Sequence, residues 1–199
     1  MRKYFLVFII ALFSLACGSK GDDSSLPDKL VAQLVNQDTY AAAVKALREM
    51  GPDAVPALVK GLKNPDAKMR EESARTLAFI GPDAKGAVEA LIEALKDSEP
   101  PVRSNSAWAL GEIGSAAVAA IPALIAALDD EEDSVRDFAI QALGAFGPAA
   151  ADALPKLKII AKNDTNTLIR ESAQEAVDAI EAKSSDTGGL KEGTQEPMD

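Results

Sequence analysis

The fold of this protein is decided by residues 81–147, which read GPDAKGAVEALIEALKDSEPPVRSNSAWALGEIGSAAVAAIPALIAALDDEEDSVRDFAIQALGAFG. Two copies of one unit follow each other here, with Gly81, Gly114 and Gly147 at the same place in each copy. The period is 33 residues. A fixed period of this length is typical of a structural module that stacks on copies of itself.

The same pattern extends in both directions from this stretch. Each unit has apolar residues at helical spacing in its first half, such as Val88, Leu91 and Leu95, and then a polar turn and a second helix that ends before a glycine. Pro56, Pro122 and Pro155 place the first turn of three first helices. The pattern predicts four units, which cover residues 51–80, 81–113, 114–146 and 147–180, after an incomplete unit over residues 27–50.

The repeated motifs resemble HEAT repeats of the short bacterial type that is also called phycobilisome-lyase HEAT-like. The motifs are GPDAVPALVKGL (51–62), GPDAKGAVEALIEAL (81–95), VRSNSAWALGEIG (102–114) and VRDFAIQALGAFG (135–147). The resemblance implies an all-α fold, an α-solenoid (α-α superhelix) of about 4.5–5 helix pairs over residues 28–182. It also implies that the second helices line a concave side.

The resemblance further implies a ladder of charged residues that joins successive turns. HEAT repeats usually have Asp in the turn and Arg six residues later. The pairs that keep this spacing are Asp97 and Arg103, Asp130 and Arg136, and Asp164 and Arg170. We expect each Arg to reach its own turn's carboxylate and a neighbour's through forked hydrogen bonds. Asn64 precedes Arg70, which puts that charge pair in doubt, and Tyr40 occupies the Arg position of the first unit.

Counting from the Arg position predicts which side chains of the second helices are accessible. Positions 2, 5 and 9 residues later form one stripe, and it contains Glu72, Phe79, the single tryptophan Trp108 and Phe138. Aromatic residues and Arg dominate the binding energy of interfaces, and Arg75 could stack on Trp108. The candidate partner-binding residues are Arg75, Phe79, Asn105, Trp108, Glu112, Phe138 and Gln141. The alternative is that Trp108 covers a groove between helices while the two phenylalanines pack sideways.

The N-terminal residues predict export and a lipid anchor. Residues 1–16 combine a basic start with an apolar run too short to span a membrane comfortably, and Cys17 follows. This resembles a bacterial lipoprotein signal, in which the cysteine is acylated. Ser14 and Ala16 also fit an ordinary signal peptidase, so free secretion and an uncleaved anchor are the alternatives. Residues 17–27 then form a tether, and residues 183–199 a disordered tail.

Composition argues against several classes of function. The formal charge is −10 and there is no histidine. The acidic balance disfavours nucleic acid, and the commonest general base and metal ligand is missing. The acidic run Asp129–Asp133 is interpreted as a solvated turn and helix start rather than a calcium loop, since it has no glycine. We therefore predict no catalytic residues, cofactor, metal or small-molecule substrate.

These observations together predict a protein-binding scaffold that is not an enzyme. The lipid would hold it in a bacterial cell envelope, facing the periplasm or the exterior. Gly18 after the cysteine favours the outer membrane, because some bacteria use Asp there for inner-membrane retention. The alternatives are a structural or assembly factor of the envelope and an accessory subunit of an enzyme.

Overall fold

The computed structural model of the protein describes residues 25–185, with side chains as far as residue 182. The predicted signal peptide, Cys17 and most of the predicted tether lie outside the described residues. Most of the predicted C-terminal tail also lies outside them.

The described chain is an all-α solenoid of five helix pairs. Residues 25–185 contain no strand. The pairs are α1 (Leu26–Ala32) with α2 (Gln37–Met50), α3 (Val55–Gly61) with α4 (Ala67–Ile80), α5 (Val88–Ala94) with α6 (Pro100–Ile113), α7 (Ile121–Ala127) with α8 (Asp133–Phe146), and α9 (Leu154–Asn163) with α10 (Thr167–Ser185). The first unit, predicted to be incomplete, has both helices, and α1 is as long as α3, α5 and α7.

A 3₁₀ helix precedes the first helix of each later pair, a feature that the sequence pattern did not separate. The four segments are Gly51–Ala54, Gly81–Ala87, Gly114–Ala120 and Gly147–Ala153. The α-helix after three of them carries Pro56, Pro122 or Pro155 in its first turn, where a missing N–H breaks no helical hydrogen bond.

The pairs stack in two layers around a continuous core. In one layer, α4, α6, α8 and α10 pack side by side. In the other, each of α3, α5 and α7 packs against the 3₁₀ helix of the following unit. Leu58, Leu91, Leu124 and Leu157 recur at one place in the first helices and are fully buried. Because each pair packs against the next in both layers, the buried residues form one core that no pair completes alone.

Small residues allow the second helices to approach closely. A Cβ atom added to Gly111 would lie 3.2 Å from the Cα of Ala142, and one added to Gly144 would lie 3.2 Å from the Cα of Ala176. Both glycines therefore lie against the backbone of the next second helix. This spacing lets larger side chains on the same helices meet across the layer.

One stretch of the described residues, Pro100–Ala127, is long and apolar enough to cross a membrane by length and composition. It is not one straight helix. Gly114, with φ of 72° and ψ of −138°, ends α6 within it and turns the chain into the next 3₁₀ helix.

Gly114 provides the first test of the fold. Gly51, Gly81, Gly114 and Gly147 all have positive φ. At Gly114 an added Cβ would meet nothing within 4 Å, so replacement strains only the backbone. We expect Gly114→Ala to lower the unfolding free energy by about 1–3 kcal/mol, measured by denaturant unfolding. The control is Gly86→Ala, whose Cβ would make an ordinary 3.6 Å contact with Val55. Equal stability of the two variants would contradict the assigned backbone strain.

Candidate functional site

The ladder arginines join each unit to the one that follows. Arg70 donates from Nε and Nη2 to the two carboxylate oxygens of Asp97, at 2.7 and 2.9 Å. Arg103 binds Asp130 in the same way, at 2.7 and 2.8 Å. Arg136 and Asp164 form a longer pair, at 3.2 and 3.4 Å. Each pair of hydrogen bonds therefore connects the second helix of one unit to the turn of the next.

The remaining donors of each guanidinium bind the backbone of its own turn. Arg103 Nη1 donates to the carbonyl oxygen of Asp97 at 2.9 Å and to that of Ser98 at 3.3 Å. The equivalent bonds of Arg70 go to the carbonyls of Asn64 and Pro65. The prediction that each Arg also reaches the ladder carboxylate of its own turn is wrong, because that Asp or Asn accepts through its backbone carbonyl instead. Arg136 does reach a carboxylate of its own unit, that of Asp133 at 2.6 Å.

This geometry changes where the ladder is interrupted. Asn64 does not deprive Arg70 of a partner, because the carboxylate comes from the next unit. Asn64 instead occupies the Asp position that would pair with an Arg of the first unit. The first unit has Tyr40 at its Arg position, so this pair is missing. Arg170 is the last rung, and its donors reach the carbonyls of Asp164 and Thr165 and the hydroxyl of Thr167.

Partial burial makes the ladder charges structural. The side chains of Arg103 and Asp130 are 11% and 12% exposed. Hydrogen bonds from Arg70 and Arg103 hold the pKa values of Asp97 and Asp130 below the usual range. These carboxylates therefore stay ionised at neutral pH, and their contribution to stability is lost only as the pH falls below the ordinary Asp value. Arg70, Arg103 and Arg136 each bind a carboxylate of the following unit.

A cluster around Glu72 corrects two predictions about the accessible stripe. Glu72 was predicted to be accessible, yet it is 2% exposed, because Arg75 donates to both of its carboxylate oxygens and Lys68 lies 2.9 Å away. Arg75 does not stack on Trp108. Its guanidinium lies over the ring of Tyr40, 5.2 Å from the centroid. Burial, and then the negative charge of Glu72, raise the pKa of Tyr40. This cluster connects α2 and α4 where the first ladder pair is missing.

The three predicted aromatic residues meet on the second helices and form an aromatic row, defined as Phe79, Trp108 and Phe138. Phe79 and Trp108 pack edge to face with centroids 5.2 Å apart. Trp108 and Phe138 stack at 6.0 Å with 28° between their planes. Phe79 is 37% exposed, and the other two side chains are half-buried. The row thus presents a partly exposed apolar surface across α4, α6 and α8.

Polar neighbours hold the row in place. The indole N–H of Trp108 donates to Glu112 at 3.0 Å. Arg48 Nε donates to the carbonyl oxygen of Phe79 at 3.1 Å, and its guanidinium lies 5.8 Å from the centroid of that ring. Sequence reasoning missed Arg48, because it lies one residue before the predicted stripe position in α2.

The other candidate residues flank the row with local hydrogen bonds. Asn105 donates to the carbonyl oxygen of Pro101 at 2.8 Å, and Gln141 donates to the carboxylate of Asp137 at 2.8 Å. Gln141 and Glu112 are exposed, and Asn105 is half-buried. All three are in α6 or α8, so the structure places them on the same layer as the row.

Three carboxylates of the acidic run Asp129–Asp133 form ion pairs with different partners. Asp129 pairs with Lys156, Asp130 with Arg103, and Asp133 with Arg136. Asp133 also accepts a hydrogen bond from the side-chain amide of Asn166. This bond, and then the one from Arg136, lower the pKa of Asp133. In residues 25–182, no group of three or more acidic, His or Cys side chains is arranged to hold a metal ion.

A family model for HEAT repeats matches residues 27–95 and 88–178, which together span most of the chain. The chain belongs to the HEAT repeat family. The arginine ladder and the paired helices described above are thus features of a HEAT array. A search of curated proteins found no match.

Solved structures share this HEAT architecture. One is a chain from the complex of CpcE and CpcF of phycocyanin lyase from Nostoc sp. PCC7120, with 28% identity and a TM-score of 0.65. That match covers 75% of this chain and 96% of the other. An engineered protein matches at 24% identity and a TM-score of 0.58, over 78% of this chain and 79% of its own, and this likeness concerns the fold alone. A second engineered protein matches at 25% identity and a TM-score of 0.56, over 78% of this chain and 47% of its own.

The HEAT ladder can be tested at Arg103. Arg103→Lys keeps the charge but loses the fork, and we expect it to lower the unfolding free energy by about 2 kcal/mol in denaturant titrations. The control is Lys63→Ala, whose ammonium lies 3.8 Å from Glu93 with both side chains at least 66% exposed. That change should cost less than about 0.5 kcal/mol. If Arg103→Lys unfolded at the wild-type midpoint, charge rather than the fork would hold the units together.

Proposed function

We propose that this HEAT chain is a protein-binding module without catalytic activity, and that its partner binds the second helices at the aromatic row. The observation that carries the proposal is the partly exposed row itself, in which Trp108 packs edge to face with Phe79 and stacks on Phe138. Large aromatic side chains with one accessible side supply much of the binding energy at protein interfaces.

Comparison between units supports a role for the row beyond stacking. The place of Trp108 is taken by Lys45, Arg75, Gln141 and Glu175 in the other units. The place of Phe79 is taken by Glu112 in the next unit. Those units form the same helix pairs with polar side chains at these places. The fold therefore does not require aromatic residues there, which favours binding over packing as the reason for them.

A second candidate function is an accessory subunit of an enzyme. It is supported by the 28% identity to a chain of the phycocyanin lyase CpcE–CpcF complex. The first candidate, a binding module without catalytic activity, is supported by the amino-acid composition. The chain has no histidine, and its one cysteine is Cys17 next to the predicted export signal. In both candidates the chain acts by binding another protein.

The experiment is site-specific photo-crosslinking in cells, with the crosslinker at Gln141, an exposed neighbour of the row. We expect one defined product, and we expect Trp108→Ala to reduce it at least about tenfold. The same variant should lower the unfolding free energy by about 1–3 kcal/mol, because the ring contacts and the apolar area under the half-buried indole are both lost. A crosslinker at Ile159, which is 59% exposed on α9, is the control.

The outcome decides between binding and packing. If Trp108→Ala strongly destabilised the protein while the crosslinked product persisted, the row would have a packing role. A product of equal yield from Gln141 and Ile159 would show no preference for the second helices.

We further propose that Cys17 carries a lipid that holds the protein in the bacterial cell envelope, with a preference for the outer membrane. The support is the order of a basic start, an apolar run and a cysteine in the first 17 residues. Cells fed a labelled fatty acid should label the wild-type protein and sediment it with membranes. Cys17→Ser should remove the label and release the protein. An unlabelled, soluble wild-type protein would exclude the anchor.

A further inference from the structure

Counting positions along the second helices leads from the aromatic row to a fourth apolar residue. Phe79, Trp108 and Phe138 lie 9, 5 and 2 residues after the Arg position of their helices, so the row shifts by about one helical turn at each step. The next step leads to Leu168 in α10, two residues before Arg170. Leu168 is 69% exposed. We call these four residues, separated by 29, 30 and 30 positions, the apolar diagonal.

The spacing of the three rings of the apolar diagonal is close to the rise of an α-helix per turn. Neighbouring ring centroids are 5.2 and 6.0 Å apart. An α-helix advances about 5.4 Å per turn, and therefore presents an apolar side chain about every 5–6 Å along one face. Same-face residues of an extended strand are about 6.6–6.8 Å apart. A partner helix that lies along the diagonal would therefore place one apolar side chain opposite each ring.

The charges beside the apolar diagonal differ between its two sides. On the side of the earlier positions, Arg75 is paired with the buried Glu72, and Arg48 donates to the carbonyl oxygen of Phe79, so both guanidinium groups have partners within the chain. On the other side, Glu112 and Glu175 are exposed carboxylates. The bond from the Trp108 indole holds Glu112 close to the row. The whole chain is also acidic, with a formal charge of −10. These charges are complementary to a basic ligand.

We propose that the occupant of the apolar diagonal is a basic amphipathic helix of the partner protein. Its apolar residues would recur at i, i+4, i+7 and i+11, and Lys or Arg along one edge would face Glu112 and Glu175. This inference rests on the proposed function, since it names the chemistry of the partner that binds the same surface. It adds that the ligand is helical and basic.

The test uses a synthetic peptide of roughly 16 residues, Ala-based, with Leu at i, i+4, i+7 and i+11, Lys along one edge, and no Trp. Trp108 is the only tryptophan of the chain, so its fluorescence reports directly on the site. We expect a saturable change in that fluorescence at peptide concentrations below about 1 mM. Added salt should weaken the binding, because exposed charges take part in it.

Matched variants locate the binding on the diagonal. Leu168→Gln should lower the affinity for the peptide about tenfold. Ile159→Gln, at an exposed aliphatic residue of the same unit, should leave the affinity unchanged. Both side chains are exposed, so neither change removes core contacts. Glu175→Gln should lower the affinity for the peptide about two- to fivefold.

Two control peptides and the crosslinked product decide the outcome. One control has the same composition with Leu at alternate positions, and the other has Glu in place of Lys. The proposal is overturned by no saturable binding, by equal affinity for either control peptide, or by equal effects of Leu168→Gln and Ile159→Gln. If the segment crosslinked to Gln141 lacked helical apolar spacing, this inference would fail while the proposed function stood. If no specific product formed, both would fail.

Discussion

The hydrogen-bonded fork between an arginine and the aspartate of the following unit is the contact on which the array depends most directly. A guanidinium has five N–H donors in a rigid plane, and here they are divided between two units. Arg103 reaches the carbonyls of its own turn with one nitrogen and Asp130 of the next turn with the other two. The fork therefore fixes the position of one helix pair relative to the next. Partial burial strengthens it, since exposed pairs of this kind contribute little.

Close approach of the second helices connects the ladder to the surface that we propose for binding. Gly111 and Gly144 lie against the backbones of Ala142 and Ala176, so the helices stand near enough for side chains of different units to touch. Trp108 can then contact Phe79 and Phe138, which lie in the units before and after its own. The ladder and the glycines hold the helices, and the aromatic residues use the spacing that results. Stability and proposed binding thus depend on different side chains of the same helices.

The two ends of the array show what happens where a neighbour is missing. The first unit has Tyr40 in place of Arg, and Asn64 stands where its carboxylate partner would be. A carboxylate at this half-buried site would have no arginine to pair with, and the neutral amide avoids that cost. The cluster of Tyr40, Arg75 and Glu72 joins these helices instead. At the other end, α10 presents Glu171, Glu175, Asp178 and Glu181, which are exposed and suit the last helix of a solenoid.

The sequence by itself determined the period, the helix pairs, the identity of the ladder residues and the stripe that contains Trp108. Periodicity records how residues are spaced along the chain, and helical geometry converts that spacing into faces. The tertiary structure alone decided that Arg70 pairs with Asp97 of the next unit, that Glu72 is buried, and that Arg75 covers Tyr40 rather than Trp108. It also decided that Phe79, Trp108 and Phe138 touch one another across three units. These contacts cross from one unit to the next, so they depend on the shift and rotation between stacked pairs, which no spacing along the chain specifies.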